Sequence, residues 1–378
     1  MRLSTGIGDI YHSPMGMGKQ DGVERGEGWV HMKDILRRVA VGPKGSRDLD
    51  RGEAREAMAL CLERRASDIQ IGTFLVAERM KRETEEENHG FLQALEEASV
   101  ISVAQVPSVV SLADPYDGYL RAPHFGPVTA AVLAACGQPT VVHGATTLPP
   151  KNGVTARQVL EHMGLALGIG DGLASVEAAA RRLGDSGVAY VDLDDFCPPL
   201  AALTTIREEI AKRPCLATLE KLITPLRGAE ETHVVAGWVH AGYETLITSL
   251  LGAAGHTSAL LVKGGEGHID PRVHTNTETT GTRPGGETFS ETIEPKCYGT
   301  LISEAPDWGE VSCESVAGAW VEALDPKHRT APGQIVRLLA GMILSHTGRT
   351  TTIMRGVGEA HQHIASGRAR AVFERFAV

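Results

Sequence analysis

The sequence predicts an α/β protein: an all-helical segment followed by a larger domain built on a mostly parallel sheet. Three observations carry this. Residues 32 to 98 place apolar side chains at helical spacing, and after residue 100 short apolar runs alternate with helical stretches. The C-terminal segment then returns to a helical pattern. Apolar strands separated by helices are what a parallel sheet covered on both faces requires.

In chain order, Ile35, Leu36 and Val39 lie on one helical face before Pro43 and Gly45 end the run. Asp50 with Glu53 forms a capping pair for a second helix carrying Ala54, Ala57, Met58, Cys61 and Leu62. Ser67 or Asp68 caps a third, through Ile69, Ile71, Phe74, Leu75 and Met80, and Thr84 caps a fourth. The acids Glu85, Glu86 and Glu87 suit the positive end of that fourth helix. Strands are expected over 108–112, 139–144, 188–193, 232–237 and 258–264, with helices over 128–135, 156–163 and 243–252. The stretch from Pro271 to Gly286, rich in proline and glycine, reads as a long surface loop. The chain after Val336 is helical.

Composition excludes several classes. No apolar run approaches the roughly 18 residues of a membrane span, and the polar first 30 residues lack the apolar stretch of a secretory signal and read as a flexible leader. The six cysteines are scattered without a CxxC pair, as expected of reduced thiols in a cytoplasmic protein. A formal net charge of -10 disfavours a surface built to neutralise nucleic-acid phosphates. The 43 glycines among 378 residues exceed the average of roughly 7% and point to tight turns and backbone approaching a ligand.

Ligands of parallel sheets bind at the carboxyl ends of the strands. Four segments there carry candidate chemistry. The stretch after 108–112 holds Asp114, Tyr116, Asp117, Gly118, Arg121 and His124 and leads into a helix, a place where an anion can sit. Following 139–144, His143 and Gly144 reach the cleft, with Thr147 and Lys151 as donors to a phosphate. In "LVKGGEGHIDP", Glu266 and Asp270 are oxygen ligands suited to Mg²⁺. Arg207 and Arg213 offer guanidinium forks for a carboxylate or phosphate, or else pair with Glu208 and Glu209 on a helix surface. "GIGDG" at 168–172 lacks the strand a dinucleotide fingerprint needs, and His361 and His363, two apart on a helix, face different sides.

The order of these features resembles the anthranilate phosphoribosyltransferase family. "SDIQIGTFLVAERMKRETEEE" is similar to the family's "s-aQ-aAFL-AlR-KGET-eE", "VVHG" with "VLEHMGL" to "KHGN…VLEALG", "LEKLITPL" to "FNLLGPL", and "IASGRARAVFERF" to "idSGkAlekL". The resemblance implies a helical dimerisation domain over 31–99, completed by about 198–225, and a phosphoribosyltransferase-like α/β domain over 100–197 and 226–378. It further implies a homodimer joined through the helical domain. It also implies a reaction, in which Mg²⁺-bound phosphoribosyl pyrophosphate loses pyrophosphate to an aromatic amine through an oxocarbenium-like transition state. Of the candidates, His143, Gly144, Arg207 and Asp270 stand where the family has site residues; together with the loop residues Asp117, Gly118, Arg121, His124, Thr147 and Lys151 they are the expected substrate contacts, apart from Asp270, which with Glu266 is an expected metal ligand.

Departures from the family's motifs are equally specific. The phosphate loop "GTGGDG" is replaced by Ala113-Asp114-Pro115-Tyr116-Asp117-Gly118, which removes one N–H and adds a carboxylate. "NxST" becomes His124-Phe125-Gly126-Pro127, "KHGN" becomes Val142-His143-Gly144-Ala145, and the acidic pair becomes Ile269-Asp270. Tyr116, Gly118 and Arg121 fit the "YxGxxR" of a second, divergent branch. Two functions of different class follow: transfer of a ribosyl phosphate to an acceptor other than ordinary anthranilate, or a catalytically silent homodimer binding nucleic acid or a nucleotide in the former cleft. For the second, Arg121, Lys151, Arg157, Lys263 and Arg272 are the basic residues that would have to share one rim.

Overall fold

A computed structural model of the chain describes residues 31–42, 44–326 and 329–376, so the leader expected over 1–30 lies outside the described residues. Four helices come first: α1 (Met32–Val39), α2 (Arg51–Leu62), α3 (Asp68–Lys81) and α4 (Glu85–Glu97). Asp50, Ser67 and Thr84 each close a reciprocal capping box, so Ser67, not Asp68, caps α3. Ile69 and Met80, expected on the packed face of that helix, are instead exposed.

Two short strands, β1 (Ser102–Val103) and the later β5, form a separate parallel pair. The main sheet begins with β2 (Ser108–Ala113), then α5 (Gly126–Ala135), β3 (Thr140–Gly144), α6 (Ala156–His162), α7 (Leu173–Ser186) and β4 (Val188–Asp192). Short helices α8 (Leu193–Phe196), α9 (Pro198–Ala201), α10 (Thr204–Ile210) and α11 (Leu216–Leu219) return the chain to the first four helices. There α10 packs on α3 and α11 on α4. After β5 (Leu226–Arg227) come β6 (Glu231–Gly237), α12 (Tyr243–Ala253), β7 (Ser258–Val262), β8 (Thr277–Thr282) and β9 (Thr288–Ile293). Helices α13 (Cys313–Ala323), α14 (Ala331–His346), α15 (Ile353–Ala365) and α16 (Arg368–Phe373) complete the described chain.

The seven strands run in the order β4-β3-β2-β6-β7-β8-β9, parallel through β7 and antiparallel for the last two. Alternate residues of the parallel strands serve opposite faces. Val109, Val141, Val191 and Val234 join the core shared with α2–α4, α7 and α12, whereas Val110, Val142, Tyr190 and Val235 join the core beneath α5 and α13–α16. The chain is thus a small helical domain joined to a larger α/β domain with a mostly parallel sheet.

One expectation is corrected. The stretch from Pro271 to Gly286 is not a continuous loop, because residues 277–282 form β8, hydrogen-bonded to both β7 and β9. Its inward side chains, Thr277 and Thr279, are buried but carry no aliphatic signal; they fit a strand through β-branching alone.

Candidate functional site

The carboxyl ends of β2, β6 and β7 open onto a cavity of about 250 Å³, lined by Arg79, Asp117, Arg213, Lys221, Trp238 and Glu266 among others. Its base is the rewritten loop between β2 and α5. Tyr119 and Val154 pair in an antiparallel bridge, which clamps this loop to the one after β3. The clamp depends on Gly118: its φ is +72°, and a Cβ there would lie 2.4 Å from the Gly153 carbonyl. Thr147 donates to the Gly153 carbonyl at 3.3 Å and stiffens the second loop.

Four charged residues span the mouth. Asp117 binds the Arg213 guanidinium and lies 3.6 Å from Lys151 Nζ, which in turn is 3.5 Å from Glu266. The Lys151 ammonium also sits 5.2 Å from the centre of the Tyr119 ring. Glu266, held at a φ of +54°, accepts the backbone N–H groups of Leu120 and Arg121, the latter at 2.8 Å. An internal carboxylate therefore occupies the N–H groups of the loop that stands where the family has its phosphate loop. Arg79, reaching from α3, donates to the main-chain oxygen of Arg213 and ties the helical domain to this rim.

Below the mouth the polar groups turn inward. The Tyr119 hydroxyl donates to Asp114 Oδ1 at 2.5 Å, and the other Asp114 oxygen lies 2.4 Å from where a Cβ on residue 126 would be, so Gly126 is required by close approach. Asp270 is 2% exposed and accepts the Phe125 N–H at 3.1 Å. Burial, reinforced by Asp114, pushes its carboxyl well above the usual carboxylate range. Lys221, 5% exposed, donates to the Gly237 carbonyl at 2.6 Å. Its ammonium is pulled down to about 8, chiefly by burial, while Asp114 and Asp117 oppose the shift.

The residues anticipated from sequence are distributed unequally. Asp117, Lys151 and Glu266 meet at the mouth, with the Arg121 backbone beside them and its side chain exposed. Gly144 ends β3, buried against the Tyr190 hydroxyl. His143 also ends β3, yet its ring does not reach the cleft: Ser111 Oγ lies 3.0 Å from Nε2, and the Tyr116 hydroxyl bonds Nδ1. Burial pulls that imidazole down to about 3, leaving it neutral. His124 is likewise enclosed, stacked 4.7 Å from Tyr119 with neither ring nitrogen hydrogen-bonded, and burial pulls it down to about 3.

Arg207 is fully buried in a bidentate pair with Glu220 at 2.5 and 3.2 Å, neither at the mouth nor matched with the helix-surface acids. Glu266 and Asp270 do not converge: one carboxylate serves the loop backbone, the other faces the interior. Among the described residues no group of three or more His, Cys, Asp or Glu is arranged to hold a metal ion. The residues present thus do not form a protein-built Mg²⁺ site. The five-residue basic rim is not assembled either, since Arg157 binds Asp192 at 3.0 Å and Lys263 binds Glu278 at 2.6 Å. Arg79 and Lys221 are the cavity cations that sequence reasoning missed, although both lie inside stretches singled out for their resemblance.

Comparison with known proteins accords with the fold. Residues 33–99 match the helical bundle domain of the glycosyl transferase family, and residues 126–370 match its a/b domain. An anthranilate phosphoribosyltransferase of Methylobacterium nodulans is 27% identical over 91% of this chain and 97% of its own length. An uncharacterised protein of Aquifex aeolicus is 27% identical over 83% of this chain and 93% of its own. Among solved structures, the anthranilate phosphoribosyltransferase of Thermus thermophilus superposes with a TM-score of 0.68 at 21% identity, covering 87% of this chain and 95% of that one. The Saccharomyces cerevisiae enzyme in complex with PRPP and Mg gives 0.72 at 13% identity, covering 91% and 96%. With both domains matched across most of its length, the chain belongs to the glycosyl transferase family that includes the anthranilate phosphoribosyltransferases.

Proposed function

We propose that this protein binds a phosphoribosyl pyrophosphate-type donor in the 250 Å³ cavity and transfers its ribosyl phosphate to an acceptor other than ordinary anthranilate. The observation that carries this reading is the convergence of Arg79, Arg213 and Lys221 on one cavity at the carboxyl ends of the strands. Two solvent-facing guanidinium groups and a buried ammonium in one cleft suit phosphate oxygens and the charge that builds on a departing pyrophosphate.

In the reaction the acceptor nitrogen attacks the anomeric carbon as the bond to pyrophosphate breaks. Arg79, Arg213 and Lys221 hold the anionic groups, and Trp238, Val239 and Ile247 supply an apolar wall for the acceptor ring. Before that, the incoming anion has to displace Asp117 from Arg213 and Glu266 from the Leu120 and Arg121 N–H groups. Tyr116 is fixed from beneath by His143, which makes His143 a positioning residue. A Mg²⁺ ion accompanying such a donor would be held by the donor's own phosphate oxygens and water. The homodimer is part of the same proposal, formed through the outer face of the helical domain, where Ile69 and Met80 are exposed.

Calorimetry with phosphoribosyl pyrophosphate, with and without Mg²⁺, tests the donor site. Heat of binding that disappears in Arg213→Ala is the expected result. Absence of heat, together with salt-sensitive retention of single-stranded DNA or RNA, overturns it in favour of a nucleic-acid-binding protein.

A further inference from the structure

We propose that Lys221 is a covalent anchor, its amine condensing with the aldehyde of a small phosphorylated carbonyl compound whose phosphate rests on Arg79 and Arg213. The proposal shares the cavity with the donor site but does not depend on ribosyl transfer.

Lys221 is an unusual lysine by its surroundings. It lines the cavity while 5% exposed, and among the described residues its hydrogen bond is to a neutral carbonyl, that of Gly237. The charged groups around it are Asp114, Asp117, Glu220 and Arg213. Asp117 is taken by Arg213 and Lys151, Asp114 by the Tyr119 hydroxyl, and Glu220 by Arg207. No carboxylate of the described residues lies within ion-pair distance of the Lys221 nitrogen. A buried ammonium without an ion-pair partner is costly, and the same desolvation, with a guanidinium nearby, gives a lysine its nucleophilic neutral form. The lowered amine, about 8, agrees with that geometry.

The chemistry balances without an external oxidant or reductant. The neutral nitrogen attacks the carbonyl carbon, a C–N bond forms, and one proton moves to the oxygen to give a carbinolamine. That oxygen then leaves as water with the second amine proton, and the nitrogen is left doubly bonded to carbon. Arg79 and Arg213 on the wall of the same cavity discriminate a phosphorylated aldehyde from a neutral one.

The test uses the full chain with pyridoxal 5′-phosphate as probe, borohydride to trap the imine, and peptide mass spectrometry to locate it. The adduct is expected on Lys221 at substoichiometric probe, with half-maximal labelling near pH 8. Labelling should be about tenfold weaker with pyridoxal, which lacks the phosphate, or with Arg213→Ala. Ribose 5-phosphate, whose open-chain form carries an aldehyde, should protect. Lys221→Arg should abolish that adduct while leaving labelling of exposed lysines in place. The site of labelling in the unmodified chain decides the matter even where the variant fails to fold. Adducts confined to exposed lysines, or labelling of Lys221 indifferent to the phosphate, overturn the proposal. Phosphoribosyl pyrophosphate has no aldehyde, so binding heat without a Lys221 adduct removes the anchor and leaves the donor site, whereas an adduct without heat does the reverse.

Discussion

The helical domain and the strand-end cleft each carry a concavity, and they differ in kind. The first, about 980 Å³, is an open groove bordered by Val39, Ile69, Val76, Met80, Ile206 and Ile210. The second is a quarter of that size and holds buried or paired charges: Arg79, Asp117, Arg213, Lys221 and Glu266. Size alone would favour the groove. Desolvated titratable groups favour the cleft, because binding and catalysis need charges whose hydration has already been removed. The groove has the composition of a surface waiting for a protein partner.

This contrast can be broken at its joint. Helix α10 contributes Ile206 and Ile210 to the groove and anchors the chain leading to Arg213 through the buried Arg207–Glu220 pair. Arg207→Ala leaves Glu220 buried and unpaired, so it is expected to cost about 3–5 kcal/mol, seen as a lower urea midpoint. An unchanged midpoint would mean the pair is not a structural anchor. A narrower test is Arg213→Ala, expected to weaken pyrophosphate binding by about 1.5–3 kcal/mol in calorimetry without altering the oligomeric state. If light scattering shows the proposed dimer lost as well, cleft and groove are not separate devices.

On the groove side, Glu78 is 0% exposed and is pushed up to about 8 by burial, with Glu87 adding to the effect and Lys81, 3.2 Å away, opposing it. A raised carboxyl holds its proton longer in the folded than in the unfolded chain, so stability falls as pH climbs from about 4.5 through 8. Glu78→Gln is expected to flatten that slope and to gain on the order of 2 kcal/mol at pH 8, measured by denaturant titration at several pH values. A slope identical to the unmodified chain's would count against it. Replacing Ile69 by Glu should dissociate the proposed dimer while pyrophosphate affinity in the cleft stays within a factor of about two. Sedimentation at several concentrations reads the first effect, calorimetry the second. The smallest effect is expected of Glu266→Gly, which suits the positive φ and vacates the Leu120 and Arg121 N–H groups. Pyrophosphate affinity should rise by roughly 1 kcal/mol; a fall would show that Glu266 helps bind the anion's counterion rather than competing with the anion.

Periodicity and capping residues by themselves determined the first four helices, the five parallel strands of the main sheet and the helices α5, α6 and α12, but not the crossover helix α7. Those signals are local: Asp50 with Glu53, Ser67 with Gln70 and Thr84 with Glu87 bond within one turn. Strand β8 escaped because threonines bury without an aliphatic pattern. The candidate site was legible only by region. Asp117, Lys151 and Glu266 lay in the right loops, but Arg207, His124 and His143 were placed by their loops or helix and not by their burial. Only the tertiary structure decided that Arg207 faces Glu220, that Asp270 turns inward, and that Arg79 and Lys221, 142 positions apart in the chain, share one cavity. The physical reason is range. A cap or a strand is set by neighbours a few residues away, whereas a desolvated charge is defined by whatever distant chain covers it and by which opposite charge arrives first.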